Sequence, residues 1–99
     1  MVVEWLKFRV APELREAFIQ KDEEVWTEGF KTTAGYLGKE VWIDPDTDEV
    51  IVMIRWESME LWKSIPKAEV DRLTKLMGDF ATIPIAESRA YQVRRFQHL

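Results

Sequence analysis

The sequence has no cysteine and no asparagine, and its single histidine, His98, stands next to the end of the chain. Without cysteine there is no disulfide framework, no thiolate nucleophile and no thiolate metal site. No run approaches the roughly eighteen apolar residues of a membrane-spanning helix. No Lys/Arg-rich start followed by an apolar stretch marks a signal peptide. The expectation is a cytoplasmic protein with no membrane partner. An excess of positive charge is also missing, since fourteen Lys and Arg face eighteen Asp and Glu for a formal charge of -4. That balance argues against a nucleic-acid partner, the cluster Arg89, Arg94 and Arg95 being short. The four glycines do not fall in a phosphate-loop spacing. The acidic turn Asp44, Asp46, Asp48, Glu49 is interrupted by Pro45 and lacks the glycine and distal Glu of a calcium loop, so no metal site is expected.

What the chain has in abundance is tryptophan: Trp5, Trp26, Trp42, Trp56 and Trp62, all in the first two thirds. Trp favours places with one apolar and one polar side. Five Trp and five Phe in 99 residues exceed what one small core encloses, because small domains bury a lower share of their surface. Some of these rings should line a cavity or a subunit interface. The length argues for a single domain spanning residues 1–99.

Periodicity supplies the order of elements. Val2 to Val10 reads as a strand with Val2, Leu6, Phe8 and Val10 on one side, Glu4 being the exception, and Val3, Trp5, Lys7 and Arg9 on the other. Pro12 suits a first helical turn, and the helix is predicted from about Pro12 to Thr32. Leu14, Phe18 and Val25 form one stripe on it; Ile19, Trp26 and Phe30 form a second, read as extended core or as a surface for something else. Asp22-Glu23-Glu24 reads as a wet helix face. Tyr36 to Ile43 is a second strand, with Gly38 marking a bulge or a close backbone approach. A polar turn joins it to a third, Val50 to Glu57. Ser58 is a good N-cap, followed by Leu61, Trp62 and Ile65; Pro66 ends that segment. A second segment, about Lys67 to Asp79, presents Val70, Leu73, Met77 and Phe80. The last strand is predicted from about Ser88 to Phe96, with Arg89, Tyr91, Val93 and Arg95 on one face.

The order β-α-β-β-α-β predicts an α+β, ferredoxin-like fold, a four-stranded antiparallel sheet with both helices on one face. The bare face should then carry Trp5, Lys7 and Arg9 with Ile51, Met53 and Arg55. If Leu37, Val41 and Ile43 are the core side of the second strand, Tyr36, Glu40 and Trp42 join them. A patch of this kind marks an association or ligand surface. Two copies packed face to face could form a closed or nearly closed barrel, with Trp5, Trp42, Met53 and Tyr91 at the dimer interface. On this reading Trp56 is core, and Trp26 and Trp62 pack beside it.

The segments Val3-Glu4-Trp5-Leu6-Lys7-Phe8, Phe18 to Trp26, Gly35-Tyr36-Leu37-Gly38-Lys39-Glu40-Val41-Trp42 and Ile54-Arg55-Trp56-Glu57-Ser58 resemble the antibiotic-biosynthesis-monooxygenase-like, dimeric α+β barrel superfamily. More narrowly, they are similar to a small cyanobacterial branch of it. The resemblance implies a ferredoxin-like protomer that forms a homodimer through its open sheet face. That superfamily includes cofactor-free oxygenases of aromatic polyketides and haem-degrading enzymes. The haem-degrading constellation of Asn, Trp and His does not carry over, because the chain has no Asn and His98 lies outside the expected core. The polyketide-oxygenase pattern also leans on an Asn with Trp and Tyr.

Three functions remain open on the residues. Trp26, Phe30, Trp42, Trp62 and Tyr91 could hold a small apolar or aromatic ligand, with no cofactor. In a cofactor-free monooxygenase acting on an aromatic substrate, Arg55 would hold an anionic part and Asp22 or Glu40 would move a proton. A self-association module would need only the apolar surface. Each candidate also has a plain structural role: Trp26 and Trp62 as packing, Arg55 as an interfacial ion-pair member, Asp22 as a local cap or bridge.

Overall fold

The computed structural model describes residues 1–97, so His98 lies outside the described residues. Strand β1, Val2–Phe8, lies at the centre of the sheet between β3, Val50–Trp56, and β4, Ile85–Gln92. Strand β2, Tyr36–Ile43, pairs with the far side of β3, giving the order β2-β3-β1-β4, antiparallel throughout. Between β1 and β2 a short 3-10 turn, Pro12–Leu14, leads into α1, Arg15–Asp22, a π-helical turn, Glu23–Thr27, and α2, Glu28–Phe30. Helices α3, Met59–Lys63, and α4, Lys67–Leu76, lie between β3 and β4. The α3 N-terminus is capped as its sequence predicts, Leu61 N donating to Ser58 Oγ at 3.1 Å.

One apolar cluster joins the helices to a single sheet face. It comprises Val2 of β1, Val50, Val52, Ile54 and Trp56 of β3, and Phe18, Val25, Phe30, Leu73 and Met77 of the helices. Trp56 is fully buried; Phe30 packs edge-on to its ring at 5.1 Å and Tyr36 at 5.9 Å. Both predicted stripes of the first helix contribute, Ile19 and Trp26 packing against the cluster. Leu14 does not: it sits in the opening 3-10 turn, outside the regular helix, and is exposed.

The expected barrel is not present. The sheet is open, β2 and β4 are its two edges, and no ladder joins them. Four strands at ordinary spacing form a twisted sheet too narrow to close on itself.

Two details of strand placement also differ from the sequence reading. Tyr36, expected on the bare face, lies among the core aromatics. The pairing shifts between Tyr36 and Gly38, so Tyr36 opposes Trp56 while Gly38 opposes Arg55. One extra residue reverses the alternation at that point, and Gly38 takes a φ of 149° there. The last strand runs Ile85–Gln92 rather than Ser88 to Phe96. Arg9 N donates to Pro84 O at 3.3 Å, so pairing starts directly after the proline. Gln92 opposes Val2, and one further bond, Val93 N to Met1 O, uses up the partner strand.

Gly35 fixes the entry into β2. Its φ is 89°, and a Cβ built there would lie 2.7 Å from Leu61 Cβ. Its carbonyl accepts from Glu57 N at 2.7 Å, tying the loop to the end of β3. Gly35→Ala is expected to destabilise the protein by about 1–3 kcal/mol through backbone strain and the clash with α3. Urea denaturation would check this, with the midpoint lowered and the slope unchanged.

Candidate functional site

Between the helices and the sheet lies a cavity of about 300 Å³, near the lower end of the range for ligand pockets. Its walls are mostly apolar, with Phe18, Trp26 and Phe30 from the first helix, Leu6, Phe8 and Ile54 from the sheet, and Met77 and Phe80 from the far side. Trp26 and Phe30 pack with ring centroids 5.5 Å apart. Val70, partly exposed, lines the outer part.

Three ionisable side chains interrupt that apolar wall: Asp22, Lys39 and Glu4. Asp22 and Lys39 form a buried ion pair, with side-chain exposures of 7% and 3%. Lys39 Nζ also donates to Thr27 Oγ1 at 3.0 Å. The π-helical turn explains how one ammonium reaches both. Residues five apart on an α-helix diverge by about 140°, but Asp22 caps and Thr27 ends a turn of i→i+5 type, which brings such residues closer to one side. Burial pushes the Asp22 carboxyl above its ordinary pKa of 3.8, and the Lys39 ammonium offsets part of that rise. Burial also pushes Glu4 up from its ordinary 4.5, while the Trp56 indole, whose Nε1 donates to Glu4 Oε1 at 3.2 Å, acts in the opposite direction. Retained proton affinity in an apolar, aromatic-lined cavity is what a general base needs.

The sequence candidates divide between two faces. Asp22, Trp26 and Phe30 meet in the cavity. Trp62 lies outside it, in a neighbouring depression that also touches Glu4, with the Lys63 ammonium 4.1 Å from its ring centroid. The opposite, bare sheet face carries Trp5, Met53, Trp42, Glu40, Arg55 and Tyr91, as the ladders place them. There Arg55 donates to Glu40 at 2.8 Å, and Trp42 Nε1 to the same carboxylate at 3.2 Å. Those bonds, the Arg55 one first, hold Glu40 below the ordinary carboxylate range. Arg55 and Glu40 are therefore partners of each other, on the far side of the sheet from Asp22. Trp42 and Tyr91 are 41% and 48% exposed, but Met53 is only 2% exposed and already buried within its own chain.

Lys39 and Glu4 line the cavity without having been among the sequence candidates, and Thr27 supports the Lys39 ammonium from the helix. Lys39 shares the alternation of Val41 and Ile43, which places it on the helix-covered face whether or not the bulge before it is counted. Glu4 was visible only as a break in the apolar side of β1.

No protein-family model matches the sequence, nor does any curated protein. Solved structures do match over nearly the whole chain. A monooxygenase of Streptomyces coelicolor in complex with nanaomycin D superposes with a TM-score of 0.74 at 16% identity, covering 99% of this chain and 90% of that one. A candidate antibiotic biosynthesis monooxygenase from Chloroflexus aurantiacus gives a TM-score of 0.67 at 24% identity, covering 98% and 95%. The chain has the fold of the antibiotic-biosynthesis-monooxygenase-like proteins. A haem-degrading protein of Mycobacterium tuberculosis with two haems bound is similar too, with a TM-score of 0.67 at 19% identity over 99% and 100%. At these identities the likeness speaks for the fold, and the chemistry has to be argued from the residues of this cavity. Among the described residues no helix is long and apolar enough to cross a membrane, and no cluster of three or more metal-ligating side chains occurs.

Proposed function

We propose that the protein is a cofactor-independent oxygenase acting on a small hydroxylated aromatic compound held in the cavity. The observation that carries this reading is the Asp22–Lys39 pair, a carboxylate of raised proton affinity beside an ammonium in an aromatic-lined, apolar cavity. Asp22 takes the phenolic proton, and the Lys39 charge stabilises the phenolate in a low-dielectric site. The phenolate passes one electron to O2, and the resulting phenoxyl radical and superoxide combine at the ring carbon para to the oxygen. Protonation gives a hydroperoxide; loss of the ring proton with cleavage of the O–O bond leaves a quinone and water. One phenol with a hydrogen at that carbon and one O2 give one quinone and one water, so no external reductant is consumed. The fold shared with the Streptomyces coelicolor monooxygenase and its bound nanaomycin D supports an aromatic ligand. Haem degradation has no comparable support, since the chain contains no asparagine.

1-Naphthol in air is the test. Oxygen uptake should equal the 1,4-naphthoquinone formed, without added metal or flavin. Saturable binding of 1-naphthol that is weakened in Trp26→Ala, with no uptake above the buffer rate, would overturn the oxygenase reading and leave a ligand-binding protein.

Association with a second copy through the bare sheet face belongs to the same proposal. The support is the exposure of Trp42 and Tyr91 on the face that also carries Trp5; such rings dominate the energy of association surfaces. Sedimentation equilibrium should show a dimer whose dissociation constant rises about 10–100-fold in Trp42→Ala. A monomer at all concentrations would remove this part.

A further inference from the structure

Glu4 occupies a position where the fold calls for an apolar side chain. Val2 is in the core on the same side of the central strand, and Leu6 and Phe8 pack against it. The hydrogen bond from Trp56 Nε1 does not by itself explain a carboxyl there. A glutamine oxygen would accept the same bond without a charge to desolvate. Glu4 also has a second property of position: it lines both the cavity and the shallower depression outside, between α3 and β4. Lys39 lies on the cavity side and Lys63 on the depression side, and the charges of both act on the Glu4 carboxyl. The remaining charged groups around it are Asp22, from α1, and Arg89, from β4.

We propose that Glu4 is a proton relay between the cavity and solvent, exchanging protons with the Asp22–Lys39 pair on one side and with water in the outer depression on the other. Its catalytic use rests on the oxygenase reading, whereas the proton exchange itself does not. No electron moves in the step and no bond to carbon changes. The proton taken up by Asp22 passes through water in the cavity to the Glu4 carboxylate, Lys39 remaining an ammonium, and Glu4 then releases the proton to water in the outer depression. Run in reverse, the route supplies the proton that the peroxide needs. The burial-raised pKa of Glu4 suits a group that must both take and give a proton nearer neutrality than an exposed Glu does.

The closing experiment has two arms, both using Glu4→Gln, which keeps an acceptor for the Trp56 indole. In the ligand-free protein, the Glu4 carboxyl carbon and the Trp56 indole N–H are followed by NMR as pH is raised. The relay requires one shared inflection above the ordinary Glu range, displaced in Asp22→Asn and absent from the indole signal in Glu4→Gln. A Glu4 titration in the ordinary range, or one indifferent to Asp22, overturns the proposal. In the second arm, 1-naphthol turnover by Glu4→Gln should fall on the order of 10–100-fold in kcat with KM unchanged and a changed pH profile. An unaltered pH profile and rate would make Glu4 a hydrogen-bond acceptor only and overturn the relay. If the unmodified protein shows no turnover, the oxygenase reading fails by itself and the titration arm decides the relay.

Discussion

Lys39→Met is expected to lower the stability of the folded protein by about 3–5 kcal/mol at neutral pH, the usual cost of leaving one member of a buried ion pair unpaired. Methionine matches the length and flexibility of the lysine stem, so the loss reports the missing charge more than a cavity. Both side chains are nearly inaccessible to solvent, and water cannot replace the lost partner cheaply. The pH dependence identifies the cause. The folded-state pKa of Asp22 is already above 3.8 and rises further without Lys39. The variant's native state therefore binds a proton more readily than its unfolded state, and its stability falls as pH rises from the unfolded pKa through the folded one. The deficit relative to the unmodified protein should be large at neutral pH and shrink as pH drops towards 4, where a neutral Asp22 needs no counter-ion. Urea denaturation of both proteins at several pH values measures it. A deficit independent of pH would mean that Lys39 acts through packing alone. Replacing both members, Asp22→Leu with Lys39→Met, should recover most of the loss, because a hydrophobic pair in place of a buried ion pair is neutral or stabilising. A natural chain that retains a pair so readily replaced for stability is consistent with a use for it beyond folding.

The side of β2 that Lys39 occupies was legible in the sequence, because it shares the alternation of Val41 and Ile43, whereas its meeting with Asp22 was not. The alternation of Val50 to Trp56, the polar turn before it and the Ser58 cap are local signals, and the structure follows them because nothing tertiary competes. The parity of β2 is different. Reading Leu37, Val41 and Ile43 as one face assumes unbroken pairing, but the bulge between Tyr36 and Gly38 inserts a residue. It sends Tyr36 to the Trp56 cluster, while Lys39, beyond the bulge, keeps the side of Val41 and Ile43 and lines the cavity. Gly38 was the visible sign of that irregularity, though its direction depends on how β3 pairs. The π-helical turn has a similar status. No residue type announces it, yet without it Asp22 and Thr27 would not converge on one ammonium. Arg55 and Glu40 were grouped with Asp22 by chemistry alone, and strand geometry separates them. The start of β4 was misplaced because a polar strand lacks a period strong enough to locate it, and only the length of β1 sets where it stops.

Asp22→Asn is expected to reduce 1-naphthol turnover by about 10²–10⁴-fold, the usual contribution of a positioned general base. The asparagine oxygen can still accept from Lys39, so the cavity keeps its shape and its positive charge while losing the group that takes the proton. The comparison must be made in kcat as well as kcat/KM, because a loss confined to KM would indicate weakened binding. The sign of the pH effect follows from the raised pKa. Asp22 acts as a base only when ionised, so the rate of the unmodified protein should fall as pH drops through a value above 3.8. In Asp22→Asn that limb disappears, and the residual rate should climb with pH as the naphthol ionises by itself in solution. The two proteins should therefore converge in strongly alkaline buffer, where the substrate arrives as the phenolate and needs no base. A constant ratio of rates across pH would show that the substitution disturbs geometry and would remove Asp22 from the base role. Because Lys39 remains in both proteins, convergence at high pH also isolates its part: stabilising the phenolate is then the contribution left once proton removal is taken out of the enzyme's hands.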